Sequence, residues 1–535
     1  MGCRRSCPLR LEPIPGRGVE SGACQQSGLG LARPGLARPG LPRSGLARPP
    51  TRKGNRFMRC HHFTEAATRR DLLKASGCGF GSLALAAMAG REAAAATATV
   101  PPITGPLAPK PPHFPPRAKR VIFLFMWGGP SHVDLFDPKP RLATDAGKQL
   151  TGKDVGLPEA EKQLGSIMAS PFAFSQHGES GVWISELFPQ LAARHADRLC
   201  VVRSMHTEGT AHGEALLKLH TGQSNLVRPS VGAWVSYGLG SESESLPAFV
   251  TISPPRGHGG VQNYGSGFLP AIHQGTAIGS AEIPIGKATV SHLTNPRLDA
   301  GLQRDQLELI QALNREHRQQ TVADRTIDGL IDSYELAFRM QSTMPAVMSF
   351  ADETPETLAL YGIDGSASDN FGRQCLLARR LAEQGVRYIQ VSTDYTWDHH
   401  QKVQDGHVAE AAKTDLPLAG LLDDLARRGL LDDTLVLWGA EFGRTPTAEN
   451  GDGRGHHPQG FTMWMAGGGV KGGLTYGTTD AFGYAPVENG VHMHDLHATL
   501  LHLLGLDHEQ LTFRHAGRDF RLTDVYGRVV HDLLG

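Results

Sequence analysis

The apolar pattern separates a leader with little to bury from a body built of two recurring signals. RVIFLFMWGG (120–129) is a continuous apolar run closed by glycines, as expected of a strand buried on both faces of a parallel sheet. WISELFPQLAARHADRLCVVRSM (183–205) reads as a helix followed by a strand at Leu199–Arg203, and LPAFVTIS (246–253) reads as a further strand. In FGRQCLLARRLAEQGVRYIQVST (371–393), apolar positions 376, 377 and 381 describe a helix that leads into a strand. LPLAGLLDDLARRGLLDDTLVLWGAEF (416–442) repeats that order, FTMWMAGG (461–468) adds a strand, and DLHATLLHLLGL (495–506) adds a helix. Alternation of this kind predicts an α/β fold: a doubly wound, mostly parallel sheet with helices on both faces.

Two stretches interrupt it. Residues 254–300 are rich in Gly, Pro, Asn and Ser, and 301–347 read as mainly helical. Together, 254–347 are expected to be one Gly-rich plus helical insertion in a single domain spanning 118–535.

The front of the chain has a different character. GLARP GLARP GLPRS GLARP, from Gly30, cannot offset its chain entropy, so 1–57 are expected to be a disordered low-complexity leader. Met58 reads as the true start. Residues 58–96 then carry Arg69–Arg70, a short Gly/Ala-rich apolar run and small residues at Ala93–Ala96, the order of a twin-arginine signal peptide. That run is too short and too rich in glycine for a stable membrane span. The expected partner is the twin-arginine export machinery and the expected location periplasmic or extracellular. Residues 97–117 form a proline-rich linker.

Charge sharpens this division. The 535 residues carry 53 basic and 53 acidic side chains, yet 1–96 hold 16 Lys+Arg against 5 Asp+Glu, leaving the body with 37 against 48, a net of −11. An acidic body gives no electrostatic case for a nucleic-acid partner. Five of seven cysteines lie in residues 1–96; Cys200 and Cys375, in apolar surroundings, read as buried free thiols.

Residues able to do chemistry cluster just after the predicted strands, where doubly wound sheets place their sites. Ser131, His132, Asp134 and Asp137 follow the first strand. Asp394, Asp398, His399 and His400 follow the strand at 387–393, and Glu441 and Arg444 follow LVLWG. Arg454, His456 and His457 occur in GRGHHP, and His492, His494, Asp495 and His497 in HMHDLH. Singly, such residues are most often helix caps or solvated loop positions. Together they offer imidazole and carboxylate without thiolate, a donor set suited to Zn, Mn, Mg or Ca. Asp398 and His400 could share one ion, with His399 aimed elsewhere or acting as a proton donor. Arg444 and Arg454 could clamp an anionic phosphate or sulfate. Thr210 and His212 stand near a predicted helix start that would favour an anion, although Thr210 also reads as a plain cap.

RRDLLKASG, RVIFLFMWGGPSHVDLFDPKP, WDHH, GAEFGRTP, GRGHHPQGF, AGGGVKGG and HDLHATLLHLLGLDH, in that order, resemble one bacterial family. This is the twin-arginine-exported domain of unknown function 1501 family, a sulfatase-like branch of the alkaline phosphatase superfamily. The resemblance spans roughly 60–535 and implies an alkaline phosphatase/sulfatase-like fold with divalent metal at the strand ends. By that resemblance Asp134 matches the first metal-site acid, Asp398 and His400 the later ligands, and Glu441 a position usually held by Asp–His. His457 or His494 matches the closing histidine, with His456 beside the former. The superfamily's Ser, Thr or Cys nucleophile precedes a Thr-Gly by about nine residues; counting back from Thr221–Gly222 reaches His212. No C-x-P-S-R or S-x-P-S-R segment occurs, and Gly455 stands where the family form GRDHHP has an acid. Attack by Ser131 or Thr210, attack by water, and loss of catalysis all stay open.

The resulting expectation is an exported metal-dependent hydrolase of phosphate or sulfate esters, polysaccharide esters included. The alternative is a non-catalytic, metal-containing binding protein on the same fold that recognises a carbohydrate or cell-surface ligand.

Overall fold

The apolar runs become the strands of a central sheet: β1 (Arg120–Phe125), β2 (Cys200–His206), β3 (Phe249–Ile252), β4 (Thr276–Ile278), β5 (Tyr388–Ser392) and β6 (Thr434–Gly439). A hairpin of β7 (Gly443–Glu449) and β8 (Gly453–His457) follows β6, then β9 (Phe461–Ala466), β10 (Leu474–Tyr476) and β11 (Val491–His492). The computed structural model describes residues 107–291, 293, 295–320 and 325–535. The expected leader and signal peptide, and the expected linker as far as residue 106, lie outside the described residues.

The sheet runs β10-β2-β9-β6-β1-β5-β3-β4, with β11 also pairing β2. β1 lies parallel between β5 and β6, and β3 and β4 continue the parallel set. β9 is the exception, antiparallel to both β6 and β2. It follows β6 through the β7–β8 hairpin with no helix in the connection, so the chain returns in the opposite sense. β4 falls within the stretch 254–347 yet forms an edge of this sheet.

Helices cover both faces. α1 (Pro189–His195), α6 (Asp369–Glu383) and α7 (Val403–Arg427) pack with Ile122 and Leu124 on one side. α2 (His212–Thr221), α3 (Val231–Leu239) and α8 (Met493–Leu503) pack with Val121, Phe123 and Phe125 on the other. Alternate side chains of β1 thus enter two separate apolar layers, which explains its unbroken hydrophobic sequence. α4 (Ala300–Gln320) and α5 (Arg325–Met348) precede α6, and Met340, Met344 and Val347 of α5 join the first layer. Cys200 and Cys375 are buried and free. No helix among the described residues is long and apolar enough to cross a membrane.

Several histidines are core residues and make the fold acid-sensitive. His220 packs its ring 5.0 Å from Phe125, and His273 meets the Ser236 hydroxyl at 2.9 Å. His407 accepts the Ser131 N–H on Nε2 at 3.1 Å, a bond that a proton there would break. Burial pushes all three down to about 3. A lowered folded value means the unfolded chain binds these protons first. The stability they confer is therefore complete above about pH 6.5 and is lost as pH falls toward 3, at about 1.4 kcal/mol per pH unit for each group. Circular dichroism against pH should show cooperative acid unfolding beginning between roughly pH 6 and 4. A flat stability profile across that range would contradict the neutral assignment.

Candidate metal-binding and catalytic site

Four parallel strands of the sheet, β1, β2, β5 and β6, end at the same edge, and their following loops meet there with the β7–β8 hairpin. The centre of the meeting point is Asp398. Its Oδ1 lies 3.3 Å from His212 Nε2, 3.0 Å from His400 Nε2 and 3.1 Å from His456 Nε2. The Nε2 atoms of His400 and His456 are 2.9 Å apart. Arg444 Nη2 also reaches Oδ1 at 2.5 Å, and the Tyr395 hydroxyl donates to Oδ2 at 2.7 Å.

Each imidazole is held from behind by an acceptor at Nδ1. His212 donates to Glu441 Oε1 at 2.6 Å, His400 to Glu449 Oε2 at 2.8 Å, and His456 to the Thr210 carbonyl at 2.7 Å. With Nδ1 protonated, each Nε2 presents a lone pair, so three lone pairs converge on a carboxylate oxygen. Such an arrangement repels itself unless a cation sits among the donors. Histidine bonded through its far nitrogen to a carboxylate or carbonyl is the outer-shell arrangement of metal sites. Ligand atoms of His212, Asp398 and His456 all lie within 4.8 Å of one another. His212 Nε2 is buried and has no hydrogen-bond partner among the described residues.

The electrostatics follow from these contacts. Burial would raise the Asp398 value, but the adjoining His212 and His456 imidazoles and the Arg444 charge hold it far below the usual carboxylate range. Burial works against charge on His212, yet the two carboxylates beside it, Asp398 and Glu441, prevail and raise its value. Burial and the Asp398 bond keep Tyr395 protonated as a donor.

The backbone is shaped to let these groups meet. Gly128, at φ +119°, donates its N–H to Glu441 Oε1 at 3.1 Å and accepts from Arg444 Nη2. A Cβ there would lie 2.7 Å from the Asp398 nitrogen, so only glycine permits this approach. Trp127, Tyr395 and His258 wall the cluster: His258 lies 5.2 Å from His212 and 5.0 Å from Tyr395 between ring centroids. His258 holds a left-handed backbone, φ +48°, which costs a residue with a Cβ about 1–2 kcal/mol.

Asp398, His400, His456, His212, Glu441 and Arg444 are thus brought together. Glu441, expected as a ligand, stands behind His212 and is fully buried. Thr210 contributes its carbonyl, while its side chain belongs to an exposed residue. The remaining candidates lie elsewhere. Asp134 and Arg454 form a fully buried bidentate pair at 2.7 and 3.1 Å, which accounts for both charges within the fold. Arg454 also donates to the carbonyls of Thr445, Met168 and Ala169. Arg444 is similarly turned inward, to the carbonyls of Gly128, Gly129 and Arg454. Neither guanidinium is arranged as a free anion clamp. Ser131 is buried, with its N–H on His407. His399 points into the first turn of α7 with its ring 5.0 Å from His407, opposite in sense to His400. His457 is buried and donates to the Tyr484 carbonyl, and His494 accepts from Lys218 Nζ at 3.0 Å and stacks on Tyr526. Tyr395, His258 and Glu449 were not singled out by sequence. Tyr395 lies in TDYTWDHH, already rich in candidates, whereas His258 sits in the Gly-rich stretch read as an insertion and nothing distinguishes Glu449 from a solvated turn residue.

Comparison with known proteins places this geometry in context. None of the curated proteins matches the chain. Among solved structures it is similar to a phosphonate monoester hydrolase from Silicibacter pomeroyi, at 11% identity over 78% of this chain and 76% of that one, with TM-score 0.36. It is also similar to a protein in the alkaline phosphatase superfamily from Vibrio parahaemolyticus (11% identity, 76% and 72% covered, TM-score 0.32). A third is a sulfatase from Pseudoalteromonas sp. (12% identity, 74% and 69% covered, TM-score 0.31). The family model described as "Protein of unknown function (DUF1501)" matches residues 118–534, nearly the whole of the described chain. The chain belongs to the DUF1501 family.

Proposed function

We propose that this protein is an exported, divalent-metal-dependent hydrolase of phosphate or sulfate esters, with esters on polysaccharide within its range. The observation that supports the reading best is the convergence of three imidazole Nε2 atoms on Asp398 Oδ1, each ring fixed through its other nitrogen. His212, Asp398, His400 and His456 would hold the ion, a borderline nitrogen-and-oxygen set that fits Zn or Mn better than Ca. Bound there, a divalent cation would supply Lewis acidity toward an ester oxygen and toward water.

The protein's own groups position everything else. Glu441 and Glu449 hold the imidazoles in the tautomer that leaves Nε2 free. Arg444 and Tyr395 fix both oxygens of Asp398. His212 occupies the place where the resemblance leads one to expect a nucleophile, and no Ser or Thr hydroxyl hydrogen-bonds to Asp398 or to the three imidazoles among the described residues. This supports water as the attacking group. The same observation favours a second reading, a metal-containing binding protein without turnover.

Metal analysis of the purified protein, followed by assays on aryl phosphates and aryl sulfates, separates these readings. The hydrolase reading expects about one equivalent of metal and turnover lost in His456→Ala. Bound metal with no turnover on either panel supports the binder, and a folded, metal-free protein removes both. Because His212 binds a proton more readily than an ordinary imidazole, protons compete with the ion as pH falls. Metal should be retained on dialysis at pH 8 and released at pH 5; equal retention at both would count against His212 as a ligand. For export, a reporter fusion should cease to leave the cytoplasm when Arg69 and Arg70 are both changed to lysine.

A further inference from the structure

Away from Asp398, a cavity of about 500 Å³ is lined by Pro138, Pro140, Phe172, Phe174 and Trp183, with Lys139 and Arg203. No carboxylate lines it. The nearest compensating charge is Asp137, 1% exposed. That single carboxylate is oversubscribed. Its Oδ1 pairs with Lys139 Nζ at 3.0 Å, and its Oδ2 accepts the Thr479 hydroxyl at 2.5 Å. Arg203 Nε is left 3.8 Å from Oδ1, beyond hydrogen-bond reach. Nε and Nη2 of Arg203 are buried and have no hydrogen-bond partner among the described residues.

Two cations against one carboxylate leave an excess positive charge, held on a guanidinium whose side chain is 15% exposed. Burial pulls the Arg203 value down, and Asp137 offsets this only in part. A buried charge with unmet donors is costly unless something completes it. Beside it, Trp183 remains 37% exposed, an unusual position for a large aromatic ring in a folded domain. A concave, mainly apolar wall with a few convergent polar donors is the general form of a small-molecule site.

We propose that this cavity is a second ligand site, distinct from the Asp398 cluster, which binds a ring-bearing organic anion. Its sulfate, sulfonate, phosphate or carboxylate group offsets the excess positive charge of Lys139 and Arg203, and its ring covers Trp183 and the phenylalanines. Guanidinium donors meet such oxyanions in a bidentate, charge-assisted fashion, and aromatic walls favour a ring over a bare ion. None of the lining residues touches Asp398 or the three imidazoles, so the site does not depend on the hydrolase reading.

Titration calorimetry with 2-naphthalenesulfonate, which is not an ester and cannot be hydrolysed, tests this on the intact purified protein. One equivalent should bind, with roughly tenfold weaker affinity in Arg203→Gln and in Trp183→Ala, and with the same affinity after the divalent metal has been removed by chelation. Trp183→Ala alters an exposed side chain, so it remains informative if Arg203→Gln fails to fold. Equal binding of 2-naphthol would show that the charge is irrelevant and overturn the proposal. Inorganic sulfate binding as tightly as the sulfonate would overturn the role of the ring. Absence of binding, binding at full affinity in Trp183→Ala, or binding lost on chelation of the metal would equally overturn it.

Discussion

Replacing Asp398 with asparagine is expected to strip the protein of divalent metal, to lower ester turnover about a thousandfold or more, and to destabilise the fold. The first two effects share one cause. The Nε2 atoms of His212, His400 and His456 all face Asp398 Oδ1, and a neutral amide removes the only formal negative charge among those donors. Loss of a Lewis acid that contributes several kcal/mol of transition-state stabilisation corresponds to roughly three orders of magnitude in rate. The third effect is independent of metal. Arg444 is fully buried, and Asp398 is its carboxylate partner at 2.5 Å. Breaking a buried pair from one side typically costs about 3–5 kcal/mol, and the 18% exposure of Asp398 points to the lower end. Denaturant unfolding of metal-free protein isolates this cost from that of losing the ion. His456→Ala should lose metal with a much smaller penalty, because its ring is part-exposed and, outside the donor cluster, hydrogen-bonds to the Thr210 carbonyl alone. Full metal content in Asp398→Asn would refute the site.

Asp134→Ala should do the reverse, with about 3–5 kcal/mol of stability lost and metal content unchanged. Both members of the Asp134–Arg454 pair are wholly buried, and removing the acid leaves a guanidinium with only backbone carbonyls for company. Burial works to raise the Asp134 value, but the Arg454 charge and hydrogen bonds prevail and hold it below normal. A depressed carboxylate gives stability that is complete above its unfolded value near 3.9 and is lost as pH falls below it. The double variant Asp134→Leu with Arg454→Met should recover most of the loss, since apolar groups of similar volume often replace a buried pair at little cost. The family resemblance assigns Asp134 to metal, so the two measurements discriminate sharply. Loss of metal from Asp134→Ala at unchanged stability would restore it as a ligand.

How much of this could be read from sequence depends on what each feature leaves in the amino-acid order. Strands β1 and β6 announced themselves because a strand buried on both faces has few polar positions to interrupt it, and β5 did so through its place after a helix despite Gln390 at its centre. The direction of β9 did not, since an apolar run reads the same in either sense. The start of α7 was hidden for another reason. Its inward positions 403, 407, 410, 411 and 414 keep helical spacing, but three of them are His407, Glu410 and Thr414, so the apolar period begins only near 416. At the site, the loops could be named but not the aim of each side chain. His399 and His400 are neighbours that turn opposite ways, as are His456 and His457 along β8. Pairing of Asp134 with Arg454 spans 320 residues and leaves no local mark.

The ligand set has one consequence for the life of the protein. His212 begins α2, Asp398 lies in the loop after β5 and His456 lies in β8, separated by 186 and 58 positions in the chain, so no fragment short of the assembled sheet can gather them. Affinity for the ion is therefore a property of the finished fold, and its binding free energy adds to folding free energy. If Arg69 and Arg70 direct export of folded protein, the ion is chosen from the pool where folding happens. Cytoplasmic metal supply, and not the composition of the medium outside, would then decide which metal the mature protein carries.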